Sequence, residues 1–407
     1  MHLLRSKMVF AALAITASIA VSACGSSSSS STTGTSTGAS STPASTPSVS
    51  ASAFTNDFSA MAALKSLGAS GKGKVAAILP DTTTSTRYVE FDQPDITKAL
   101  AAAGVPSSDV IVQNAGGSDS TMLTDAQSDI TNGATVLLVD PIDAGVGVQI
   151  ENYAKAHGVK VIDYDRLTLG GSRSYYVSFD NVQVGKVMGQ GLVSCVAAWK
   201  VASPNVVVMH GDPTDNNATL FYTGYYTDVL KPLFSGGKWK DVVNPAGTWD
   251  PPTALTSFQQ AYTAHPNINA ALIPNDENGA PIITYLKTKG IKPNTFPTTG
   301  QDATLTGLQN VLSGYQCGTV YKAVYKEAQA AVALAVYLRA GKTPPASLAN
   351  GSTMDTKANV AVPSVLLAPV WVTPTNMKDT IVKDNFVPTA QLCAGAAAAS
   401  CKKAGIS

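Results

Sequence analysis

Charge is scarce in this sequence. Only 14% of its 407 residues are charged, and 28 Lys and Arg against 27 Asp and Glu leave a formal net charge of +1. Such a balance supplies no basic stripe for nucleic acid and no polybasic patch for an anionic membrane. Histidine is scarcer still, with four residues. His2 lies near the start, His157 and His265 close helical patterns, and His210 ends a strand, so no metal set assembles from them. The five cysteines show neither a CxxC knuckle nor a redox spacing. Nucleophile elbow, HExxH and P-loop motifs are all missing. A glycosidase reading would therefore rest on carboxylates such as Asp215 and Asp302 alone. What is plentiful is apolar content, at 44%, in a chain long enough for two lobes. A neutral, polar small molecule suits this charge balance better than any polyanion.

The first residues read as a targeting segment. Arg5 and Lys7 precede an apolar stretch over 8–21 that is too short for a comfortable membrane span. It ends in Val21-Ser22-Ala23-Cys24-Gly25, which is similar to a bacterial lipobox. The expectation is a signal peptide over 1–23 and lipidation at Cys24; the alternative is ordinary cleavage beside an incidental cysteine. Residues 24–53 are almost wholly Ser, Thr, Gly, Ala and Pro, a composition that cannot offset its ordering entropy. They read as a flexible tether holding a folded part at the outer face of the cell membrane. Outside the cytoplasm, the other four cysteines are candidates for disulfides. Cys393 and Cys401 enclose a short loop suited to a local bridge. Cys195 and Cys317 remain, either bonded to each other or as buried thiols.

From residue 74 onward, short β-branched runs alternate with longer helical patterns. Two successive series of this kind predict an α/β fold of two Rossmann-like lobes with parallel sheets. The expected division is 74–178 plus 322–350 for the N-terminal lobe and 179–321 plus 351–407 for the C-terminal lobe. The tail from 365, with Pro369 and Pro374, reads as irregular extended chain.

Ligands of open parallel sheets bind beyond the C-terminal ends of the strands. Those points here carry Asp163-Tyr164-Asp165-Arg166, Asp212 to Asn217, Asn275-Asp276-Glu277-Asn278, Gln301-Asp302 and Tyr321-Lys322, with Trp249-Asp250 opening a helix. Planar carboxylates, amides and guanidinium groups can bridge neighbouring sugar hydroxyls. Aromatic faces such as Trp249 and Tyr88 can cover the C–H face of a ring. Asp and Asn are equally the residues that cap helices. Arg166, Lys322 and Trp249 have no such second use.

The stretch VIDYDRLTLGGSRSYYVSFDNVQVGK, followed in order by DPTDNNATLFYTGYYTDVLKP, TWDPPTAL, PNDENG, TGQDATLTGLQ and TVYK, resembles the periplasmic D-xylose-binding proteins over about 74–342. That resemblance implies a type I periplasmic binding protein, with lobes joined by a hinge of three crossovers. It further implies a monomeric receptor, without cofactor, for an ABC permease and its ATPase. The implied sugar contacts are Arg87, Tyr88, Asp165, Arg166, Asp215, Asn217, Trp249, Asn275, Asp302 and Lys322. Tyr88 stands where the family has Trp, and the 80–84 loop departs from the family's charged loop. A sensor role, or another pentose, a hexose or an inositol as ligand, remains an open alternative.

Overall fold

The computed structural model describes residues 47–406; the expectations for Cys24, the signal segment and most of the tether lie outside them. Runs such as KVAAIL and ATVLLV are apolar on both faces, the pattern of strands covered by helices on either side. They form β1 (Lys74–Leu79) and β3 (Ala134–Val139), neighbouring inner strands of one sheet. Around them lie β2 (Val110–Asn114), β4 (Lys160–Tyr164) and β5 (Tyr175–Phe179), every pairing parallel. A second parallel sheet holds β6 (Asn205–Val208) between β7 (Lys240–Val243) and β8 (Ala270–Leu272). Single bridges extend it through Thr298 and Gln301 to β9 (Thr319–Tyr321).

The chain passes between the sheets after β5, after β9, and again in the tail, giving the three crossovers. The second passage leads into the helix Val324–Arg339, which lies against β3, β4 and β5. Its alanines let the backbone approach the sheet closely, and nearly all of it is buried. At its end, the Arg339 guanidinium donates to the carbonyls of Gly73 (2.7 Å) and Gly68 (2.6 Å), fixing the helix to the entry of β1.

Two boundaries differ from expectation. Residues 351–367 do not join the second lobe. They form β10 (Gly351–Asp355) and β11 (Val360–Leu367), and β11 runs parallel to β5, extending the first sheet to the order β10-β11-β5-β4-β3-β1-β2. Buried Val365 and Leu367 supply the apolar face for that pairing. The chain then crosses to β12 (Val370–Val372), antiparallel to β9. The last residues of the expected tether are also folded. Val49 is buried, its carbonyl accepts from the Ser347 hydroxyl at 3.1 Å, and the Tyr337 hydroxyl donates to the carbonyl of Pro47. The Val49 side chain and these two carbonyls anchor the stretch to the first lobe.

Disulfides join Cys195 to Cys317 and Cys393 to Cys401. The first ties the long helix Asn181–Ala198 to the approach of β9, within the second lobe.

Candidate functional site

The C-terminal ends of both sheets face one cleft. Its lining contains all ten residues named as sugar contacts, together with Thr84, Ser85, Phe221 and Gln301.

On the first lobe, Arg87 opens the helical turn Tyr88–Asp92 directly after the β1 loop. Its Nε and Nη2 donate to the Asp92 carboxylate at 2.9 and 2.7 Å, Nη2 also to Glu327 at 2.8 Å, and Nη1 to Asp165 at 3.1 Å. Guanidinium has five N–H donors; four are spent on protein, which leaves one on Nη1 at the cleft wall. Asp165 follows β4 with φ 58°, a left-handed backbone that costs a non-glycine residue energy and recurs at binding sites. Burial opposes its ionisation. Arg87, Lys322 and Arg166 outweigh burial and hold the carboxyl below its ordinary value. Arg166 reaches across. Its Nη2 donates to the Tyr88 hydroxyl at 3.0 Å, Nη1 to the carbonyls of Pro141 and Ile142 at 3.2 and 3.3 Å, and Nε lies 3.5 Å from Asp215 of the second lobe.

The second lobe builds its wall from helix starts. Asp215 caps the helix Asn216–Tyr222, its Oδ1 accepting from Asn217 N at 2.8 Å. Its Oδ2 accepts from Trp249 Nε1 at 3.1 Å. Asn275 caps the helix Asp276–Thr288 through Oδ1, at 3.1 Å from Asn278 N. Capping and lining are thus two uses of one side chain rather than alternatives. Asn217 spends part of its amide on the other lobe, Nδ2 donating to the Asp165 carbonyl at 2.8 Å. Asp302, with φ 87°, pairs with Lys322 at 2.9 Å. Burial pulls the Lys322 ammonium down, but Asp302, Asp165 and Glu327 together outweigh it and hold the group above its ordinary value. Trp249 rests on Gly211, where a Cβ would come within 2.2 Å of the indole; only glycine permits that approach.

Sequence reasoning missed a layer of carboxylates behind this wall. Asp92, Asp140 and Glu327 are fully buried. Burial, with the charge of Asp165 adding to it, pushes Asp140 well above the usual carboxylate range. Glu327 was detectable as the lone acid in an Ala-rich helix, and Phe221 as the residue one turn beyond Asn217. Gln301 stood beside Asp302 in the sequence; its side-chain oxygen is buried without a hydrogen-bond partner. His210 lies outside the lining, its Nδ1 2.8 Å from the Tyr225 hydroxyl. Among the described residues, no group of His, Cys, Asp and Glu is arranged to hold a metal ion.

Known proteins resemble this chain in sequence and in fold. Residues 75–343 match the family model described as periplasmic binding protein domain. The D-xylose-binding periplasmic protein of Escherichia coli (strain K12) is 35% identical over 286 residues, 70% of this chain and 83% of that protein. The multiple sugar-binding periplasmic receptor ChvE of Rhizobium radiobacter is 32% identical, covering 80% of this chain and 93% of its own. A solved ABC transporter solute binding protein from Clostridium phytofermentans, with bound beta-D-glucose, superposes with a TM-score of 0.69. It is 27% identical over 78% of this chain and 99% of that one. With two parallel-sheet lobes, a shared cleft and these relatives, the chain belongs to the periplasmic binding protein family.

Proposed function

We propose that this chain is the extracellular solute-binding component of an ABC sugar importer. It takes a monosaccharide, D-xylose first among candidates, into the interlobe cleft. One observation carries the reading: ten polar and aromatic side chains from both lobes line a single cleft, so a sugar meets all its partners only when the lobes close. The groups present suit neutral hydroxyls. One spare guanidinium N–H, the Asn275 amide, the Asp302–Lys322 pair and the unpartnered Gln301 oxygen alternate donors with acceptors, and Trp249 offers an apolar face. The multiple-sugar receptor among the relatives favours a second reading, in which a hexose shares the site.

A thermal-shift screen of monosaccharides tests this, since a ligand at a hundred times its Kd stabilises the folded state by about 2.7 kcal/mol. D-xylose should raise the melting temperature. A shift with a hexose and none with xylose would reassign the ligand, and no shift with any sugar would reject the reading. Anchoring through a lipid on Cys24 belongs to the same proposal. Palmitate label should enter the wild-type protein and be lost in Cys24→Ser; labelling of that variant would refute the anchor.

A further inference from the structure

At the mouth of the cleft the lobes touch through one acid that is not among the ten contacts. Glu277, in the first turn of the helix Asp276–Thr288, reaches from the second lobe to the loop after β1. Its Oε1 accepts from Thr86 N at 3.0 Å, and the hydroxyls of Ser85 and Thr86 both lie 3.3 Å away. Its Oε2 is buried with no hydrogen-bond partner. No cation pairs with it among the described residues. The charged groups facing it are acids: Asp276 beside it on its own helix, Asp302 on the neighbouring loop, and Glu90 across the same groove on the first lobe. Lys322, which pairs with Asp302, is engaged there.

A carboxylate in that position leaves its second oxygen without a hydrogen-bond donor. A carboxylic acid has a simple solution: one oxygen accepts from Thr86, and the other carries the proton. We propose that Glu277 is a positioning residue for sugar binding, an interlobe latch that takes up a proton as the cleft closes. The inference rests on the closing-cleft reading above. Burial, reinforced by Asp302 and Asp276, pushes this carboxyl up to about 8 in the closed form. When the lobes part, Ser85 and Thr86 withdraw, water reaches the carboxyl, and it returns towards its ordinary range. Asp276 behaves differently: burial pushes it up to about 7, but its partners Gln316, Thr304 and Thr319 all belong to the second lobe. Those hydrogen bonds travel with it when the lobes part, so it contributes less to the linkage.

The sign follows from the direction of the shift. A group whose closed-state value is raised favours closure at low pH and stops doing so as pH rises through about 8. Sugar affinity should therefore be on the order of tenfold tighter at pH 7 than at pH 9. Close to one proton should be taken up per sugar at pH 7.

Calorimetry at pH 7 in two buffers of different ionisation enthalpy reads this directly, with D-xylose or whichever monosaccharide gives the largest thermal shift. Wild-type protein should show uptake near one proton. Glu277→Gln keeps an acceptor for Thr86 but cannot titrate, so its uptake should fall near zero and its affinity should flatten between pH 7 and 9. Glu277→Ala removes the latch and should weaken binding at pH 7 by roughly tenfold, with melting temperatures verifying both folds. Sugar heat without proton uptake in the wild type, or uptake unchanged in Glu277→Gln, overturns the latch and leaves the sugar reading intact. Absence of sugar heat in the wild type overturns the sugar reading itself.

Discussion

The two lobes present similar polar walls to one cleft but hold them by different physics. In the first lobe, Arg87 is fixed by Asp92, Glu327 and Asp165 in a buried ionic cluster. In the second, Asp215 and Asn275 are fixed by helix N-termini, each spending one side-chain oxygen on a cap. That lobe is also stapled covalently, by Cys195–Cys317. The first lobe contains no disulfide among the described residues. A charge cluster positions donors accurately but depends on every member staying paired. Caps and a crosslink are more tolerant, because each works alone.

That contrast can be broken in three places. The largest effect is expected from Cys195→Ser with Cys317→Ser. Opening a crosslink between residues separated by 122 positions costs about 5 kcal/mol by chain entropy. Denaturant unfolding should show the loss in the second lobe, with little sensitivity to salt. Retained stability would remove the staple from the comparison. Next comes Arg87→Ala, which leaves Asp92, Glu327 and Asp165 facing one another in the core. Removing one partner of a buried cluster costs about 3–5 kcal/mol, and adding Glu327→Gln should recover part of it. A midpoint unchanged by Arg87→Ala would mean the first lobe does not depend on its ions. The smallest effect is expected from Trp249→Ala, which should weaken sugar binding by about 2–3 kcal/mol while sparing most of the stability. An affinity unaltered in calorimetry would take the indole out of the site.

Much of this was legible in the sequence, for an identifiable reason. Strands buried on both faces read as unbroken apolar runs, so the parallel sheets and their ligand-binding ends could be placed from β1 to β9. The tail could not. β11 contains Pro363, its first residues alternate with exposed positions, and its partner β5 lies far away in sequence. No local pattern encodes that pairing. The same limit hid Asp92 and Asp140. Each is an ordinary acid in sequence, and only the fold shows that no water reaches it. For Asp215 and Asn275 the difficulty was of another kind: the sequence posed cap against contact, and the three-dimensional arrangement gives one oxygen to each task or leaves an amide free.

The double duty of Asp215 bears on how such a receptor could change its diet. A substitution there alters a helix start and the support of Trp249 at once, so the position is a poor place for selection to explore. Gln301, Thr84 and Ser85 border the same space, and neither Gln301 nor Ser85 caps a helix. A lineage adapting to a new sugar would be expected to vary these positions first, leaving the doubly employed residues as its memory of the ancestral ligand.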